Sequence, residues 1–122
     1  MALVLLVDDE RDHLALAARH LVRGGHRVVT AMDADEAIQC VVDHGVPDVG
    51  VFDVRMPGAT GFELTRRFQQ FVAPAFPVIF LSSCSHPLDQ AEGAVLGEAY
   101  VPKPAMRSQL LDEVDRVMQI AA

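Results

Sequence analysis

Four stretches carry the residues able to do chemistry. Asp8 and Asp9 directly follow the apolar run Leu3-Val4-Leu5-Leu6-Val7. Asp53 follows Val49-Gly50-Val51-Phe52, Ser82 and Ser83 follow Pro77-Val78-Ile79-Phe80-Leu81, and Lys103 lies just past Ala99-Tyr100-Val101. Three carboxylates brought to one place cannot all stay ionised without a compensating cation. Hard oxygen donors with no His or Cys among them suit Mg²⁺, with Mn²⁺ or Ca²⁺ able to substitute, rather than zinc. Lysine adds a point charge that binds a phosphate oxygen or pairs with a carboxylate, and a neighbouring hydroxyl can donate to a phosphoryl oxygen. Lys103 is the only lysine; every other formal cation is an arginine. Such parts fit phosphoryl transfer, which asks for in-line placement and charge stabilisation. An aspartate can itself be the nucleophile, giving an aspartyl phosphate. Asp53, alone at the end of a central run, is the candidate acceptor, and the Asp8-Asp9 pair is the candidate metal holder.

Bringing these groups together requires strands and helices in alternation. The continuous apolar runs suit strands buried on both faces, as in a parallel sheet. Arg27-Val28-Val29-Thr30 and Ala99-Tyr100-Val101 are shorter strand candidates. Helical spacing appears in Leu14, Ala17, Ala18, Leu21 and Val22, and again in Ala37, Ile38, Val41 and Val42 after Asp33, a plausible N-cap. Phe62, Leu64, Phe68 and Phe71 define a third helix, with the phenylalanines expected in the core. Ser85-His86-Pro87 reads as the entry to a fourth helix, and Leu110, Leu111, Val114, Val117 and Met118 stripe a fifth. Gly24-Gly25, Gly45 with Pro47, Pro57-Gly58, Pro74 with Pro77, and Pro102 with Pro104 punctuate the joins. The order predicts an α/β domain of five β-α units with right-handed crossovers and helices on both faces. Functional groups in such a sheet gather at the carboxyl ends of the strands, where the residues above are expected.

A chain of 122 residues, 51% apolar, suits one domain with a real core. Its net charge of −7 argues against direct nucleic-acid binding by this domain, because phosphate neutralisation needs clustered cations. The first apolar run is cut off at once by acids and has no basic segment before it, so no signal peptide is expected. No run approaches the ~20 apolar residues of a membrane span. Cys40 and Cys84, without CxxC spacing, read as ordinary small residues in a reduced, cytoplasmic setting. His13, His20, His26, His44 and His86 are scattered and read as surface or cap residues.

Taken in order, Leu5-Leu6-Val7-Asp8-Asp9-Glu10, Phe52-Asp53-Val54-Arg55-Met56-Pro57-Gly58, Pro77 to Ser83, and Tyr100-Val101-Pro102-Lys103-Pro104 resemble bacterial response-regulator receiver domains across essentially the whole chain. The resemblance implies a flavodoxin-like sheet of order 2-1-3-4-5 and a receiver domain over residues 1–122 with no effector domain in this chain. It implies that Asp53 takes phosphate from a histidine kinase or histidine phosphotransfer protein. Asp9 would bind Mg²⁺ directly, Asp8 mostly through water, and Asp53 and the Arg55 backbone carbonyl would be further metal ligands. Ser82 would hydrogen-bond the phosphoryl group, Lys103 would contact it, and Tyr100 would be the switch coupled to Ser82. Lys103-Pro104 would be a cis peptide. The output would be a surface presented to a downstream protein, to an effector domain, or to a second copy in a phosphorylation-dependent homodimer. Pro102 removes a backbone donor, which only an edge strand tolerates. Ala105 stands where relatives usually carry an aromatic, Arg55 places a cation beside the site, and Ser83 adds a second hydroxyl.

Blander roles exist for each residue. Asp8 and Asp9 could cap the first helix, Asp53 could serve the turn before Met56-Pro57-Gly58, Ser82 could open a helix, Lys103 and Arg55 could be surface charge, and Tyr100 could be an edge-strand aromatic. Two rival functions also remain. A receiver fold can act as a passive interaction module without phosphorylation. A small Mg²⁺-dependent phosphatase resembling the haloacid dehalogenase group would want a second Asp two residues after the nucleophile, where this chain has Arg55.

Overall fold

The computed structural model describes residues 1–82 and 87–121. Five parallel strands form the central sheet: β1 (Leu3–Val7), β2 (Arg27–Ala31), β3 (Val49–Asp53), β6 (Val78–Ser82) and β7 (Ala99–Pro102), in the spatial order β2-β1-β3-β6-β7. A short antiparallel hairpin of β4 (Arg55–Met56) and β5 (Ala59–Thr60) lies outside that sheet. With the hairpin set aside, the order is the 2-1-3-4-5 expected of the flavodoxin-like α/β fold. The helices are α1 (Arg11–Arg23), α2 (Ala34–His44), α3 (Gly61–Phe71), α4 (Pro87–Leu96) and α5 (Met106–Ala121).

The alternation of side chains along a strand explains why the apolar runs are continuous. On one face Val4, Leu6, Val49, Val51, Ile79, Leu81 and Val101 pack under Leu14, Ala17 and Leu21 of α1 and Leu110, Val114 and Val117 of α5. On the other, Leu5, Val7, Phe52, Val78 and Phe80 meet Ala37 of α2 and Phe62, Leu64 and Phe68 of α3. Pro102 ends β7, which is an edge strand, so its missing donor interrupts no central ladder.

Local signals start the helices that frame the site. Asp33 caps α2, its side chain accepting from Glu36 N at 2.8 Å. Thr60 caps α3 by accepting from Glu63 N at 3.1 Å; the Thr60-x-x-Glu63 spacing is that of a capping box. The Ser85-His86 entry to α4 lies outside the described residues, as do Ser83 and Cys84. Pro57-Gly58, read as a simple break, is the two-residue turn of the β4–β5 hairpin. Gly58 has φ 82°, which a side chain would strain.

Three expectations need correcting. Phe71 is 56% exposed, because it falls one turn beyond the core-facing Phe62 and Phe68, and its ring only flanks Phe68 at 5.5 Å. The His26 side chain is 8% exposed rather than on the surface. Its Nε2 lies 2.8 Å from Asp115 Oδ1 on α5 and its Nδ1 accepts from Ala2 N, so it clasps the N-terminus to the last helix. The Lys103–Pro104 bond is trans; the cis bond among the described residues is Ala73–Pro74. Lys103–Ala105 instead form a single 3-10 turn leading straight into α5.

Candidate functional site

Each strand of the sheet is parallel to its neighbours, so the carboxyl ends of β1, β3, β6 and β7 lie along one edge. Asp53 is the last residue of β3 and is 2% exposed. Asp8 follows β1 and is fully buried. Lys103 follows β7 and is 6% exposed. Its Nζ donates to Asp53 Oδ2 at 3.2 Å, to Asp8 Oδ1 at 3.2 Å and to Glu10 Oε1 at 2.9 Å. Ser82 is buried at the end of β6, one residue past Leu81, the cross-strand partner of Asp53.

The acids fall into an order that sequence did not supply. Asp8, Glu10 and Asp53 each offer an oxygen within 4.8 Å of the others, and Asp9 is not in that tight group. Asp9 is half-buried and close enough to hydrogen-bond the Asp53 carboxyl. Glu10 was visible only as the third acid of the run Asp8-Asp9-Glu10; nothing in spacing said that it would reach the lysine. It also meets His13, with Nδ1 3.1 Å from Oε2.

One ammonium faces three carboxyl groups, and the proton affinities of Asp53, Glu10 and Lys103 reflect the crowding. Burial pushes the Asp53 carboxyl up to about 7, and the adjacent Asp8 charge and Asp9 hydrogen bond add to this against the pull of Lys103. Glu10 lies below its ordinary value because Lys103 hydrogen-bonds it. Burial pulls Lys103 down, but the Glu10 hydrogen bond and the charges of Asp53 and Asp8 outweigh it, so its pKa is raised. In the unfolded chain Asp53 titrates near 3.8, so between there and about pH 7 the folded chain holds a proton that the unfolded chain has lost. That stabilising contribution is complete at low pH and is lost as pH rises through about 7. In metal-free protein, Asp53→Asn is therefore expected to be more stable than wild type, by a margin that grows from pH 5 to pH 8. Urea midpoints at each pH measure it; a margin that shrinks with pH would contradict the raised acid.

The donor set also fits a hard divalent cation. Asp8 Oδ2 is buried and has the Lys103 ammonium 3.2 Å away but no hydrogen-bond partner, so it keeps acceptor capacity that a divalent cation or water could fill. Asp8, Glu10, Asp53 and the nearby Asp9 are oxygen ligands of the kind Mg²⁺ takes.

The loop after Asp53 is held tightly. Gly61 N, at the start of α3, donates to Val54 O at 2.9 Å, and a Cβ on Gly61 would overlap the Asp53 carbonyl oxygen. Gly61→Ala must push α3 and the acceptor apart, so a loss of about 2 kcal/mol is expected in the urea midpoint; an unchanged midpoint would show that the approach is slack. Arg55 opens β4, and its side chain leaves the acid group: Nη2 donates to Asp89 Oδ2 of α4 at 2.6 Å. Tyr100 is half-buried in β7 opposite Phe80, packed against the second core cluster. A Cβ at Gly93 of α4 would stand 2.8 Å from the Tyr100 ring. The Tyr100 position therefore depends on how closely α4 lies on the sheet.

Comparisons with known proteins agree with this fold. Residues 4–115 match the response regulator receiver domain family, and the chain belongs to that family. It is a receiver domain of the kind found in two-component response regulators. It is 32% identical over 108 residues to the uncharacterized transcriptional regulatory protein YrkP of Bacillus subtilis, covering 88% of this chain and 45% of that protein. It is 29% identical over 120 residues to protein PilH of Pseudomonas aeruginosa, covering 97% of this chain and 98% of that one. The chain thus spans about half the length of the transcriptional regulator and nearly all of PilH. The receiver domain of Francisella response regulator 1452 superposes with a TM-score of 0.88 at 24% identity, covering all of both chains, a likeness of fold.

Proposed function

We propose that this chain accepts a phosphoryl group on Asp53 and answers by changing a partner surface. The observation that carries the reading is the convergence of Asp8, Asp53 and Lys103, from three separate strand ends, within hydrogen-bond distance of one ammonium. An Asp53 carboxylate oxygen would attack the phosphorus of a phosphohistidine presented by a histidine kinase or phosphotransfer protein. The new O–P bond forms as the N–P bond breaks, and the departing imidazole takes a proton from solvent. Lys103 already touches Asp53 and would pass its donor to a phosphoryl oxygen; the Ser82 hydroxyl would donate to another. Asp8, Asp9, Asp53, the Arg55 carbonyl and Glu10 are the groups that would hold Mg²⁺, which when bound neutralises the charge of the transferring phosphoryl group. The added charge would bias a two-state element made of β6, α4 and Tyr100.

The product is a modified chain rather than a released substrate, so the domain is a phosphoacceptor that assists its own phosphorylation and dephosphorylation, not an enzyme acting on a separate substrate. Arg55 at the position two residues after Asp53 leaves no second acid for a phosphatase mechanism, and its side chain is committed to Asp89. We place the domain in the cytoplasm, acting on a downstream protein, an attached effector domain or a second copy. No described helix is long and apolar enough to cross a membrane. Mixing the protein with Mg²⁺ and acetyl phosphate should add one phosphoryl group by mass spectrometry. Beryllofluoride should shift the amide resonances of β6, α4 and β7 saturably. No response to either reagent would favour the passive interaction module.

A further inference from the structure

The Arg55–Asp89 pair is not used by the phosphoacceptor chemistry, and its geometry is asymmetric. The Asp89 side chain is 12% exposed, whereas that of Arg55 is 59% exposed. The pair spans 34 residues and ties the loop after the acceptor to the first turn of α4 at 2.6 Å. A second pair, Arg66 of α3 with Glu92, joins the same side of α4 at 3.2 Å, one helical turn further on. Among the positions 89–96 whose burial is described, only Asp89 and Gly93 are buried, Leu96 is half-buried and Val95 is 84% exposed. Over positions 89–96 the helix buries little apolar surface, so its ionic ties weigh heavily in where that part of it rests.

We propose that Asp89 and a phosphoryl group on Asp53 compete for the Arg55 guanidinium, so that phosphorylation unlatches the first turn of α4. The inference rests on Asp53 being the acceptor. Arg55 follows Asp53 by two residues, and its exposed side chain can swing without giving up packing. Arginine pairs with the oxygens of a phosphoryl group in the same two-pronged way as with a carboxylate. Once Arg55 leaves, Asp89 is a poorly exposed carboxylate without its partner, a costly state that hydration relieves only if the helix turn moves outward. Tyr100, in contact range of Gly93 on the same helix, is released by that movement. The latch thus connects the site to α4 through the segment that follows the acceptor, by a route that does not pass through Ser82.

The test is a titration of beryllofluoride, with Mg²⁺ in excess, into wild type, Asp89→Asn, Arg55→Ala, the double variant and Glu92→Gln, read by amide resonances. Arg55→Ala keeps the backbone carbonyl. Asp89→Asn frees the arginine, so it should lower the half-saturating beryllofluoride concentration about 5-fold. The same substitution in the Arg55→Ala background should change it less than about 2-fold, the signature of a coupled pair. Glu92→Gln loosens α4 without freeing Arg55 and should also change it less than about 2-fold. Hydrogen exchange should show the first turn of α4 opening faster in Asp89→Asn, and in wild type once beryllofluoride is bound. A saturable wild-type response that Asp89→Asn leaves unchanged, or a gain that persists without Arg55, overturns the competition alone. A wild type with no saturable response overturns the phosphoacceptor reading and the competition with it.

Discussion

Asp53→Asn is expected to reduce Mg²⁺-dependent labelling by acetyl phosphate to background, a loss of about 1000-fold or more, as for removal of a covalent nucleophile. The substitution keeps the shape of the side chain, which is 2% exposed at the end of β3. It removes a carboxyl group whose ionisation is already opposed by burial and by Asp8. The same variant should therefore be more stable than wild type at pH 8 while being unable to take phosphate. These opposite outcomes matter, because lost labelling in a destabilised protein would say nothing about the acceptor. Labelling that survives in Asp53→Asn refutes the assignment of Asp53.

Lys103→Ala should have the largest effect on folding. The Lys103 side chain is 3% exposed and bridges Asp8, Glu10 and Asp53. Taking away the cation of a buried charge group leaves its acids uncompensated, at a cost of about 3 kcal/mol. The loss should be steepest above pH 7, where Asp53 would ionise. A divalent cation bound by the folded state alone would offset it, by about 2.7 kcal/mol at a concentration 100 times its dissociation constant. Urea unfolding of Lys103→Ala with and without Mg²⁺ measures both quantities. If the variant matches wild type without metal, Lys103 is not what holds the acids together. If Mg²⁺ stabilises neither protein, the acid group is not its site.

Much of the frame was legible because it is written in local pattern. Leu3–Val7 and Val78–Ser82 are continuous apolar strands since both faces of a parallel sheet are covered. Asp33 announced α2 through its cap. The β4–β5 hairpin was less legible, because two-residue strands carry too little periodicity to register and Pro57-Gly58 marks any break equally well. Phe71 shows the same limit from the other side. Helical spacing extends the stripe to it, but Phe71 is the last residue of α3, and its ring is left largely in solvent.

For this chain, amino-acid order alone determined the alternation of strand and helix and the type of group at each strand tip. Those properties follow from periodicity and composition over a few residues at a time, and parallel pairing then carries the tips to one edge. Tertiary structure decided which groups meet there. Glu10 rather than Asp9 joins Asp8 and Asp53 around Lys103. Arg55 turns to Asp89, and His26 to Asp115. These partners are 34 to 95 residues apart, and their meeting depends on helix position and side-chain reach to within an ångström or so. A pattern that repeats every two or 3.6 residues carries no record of such distances.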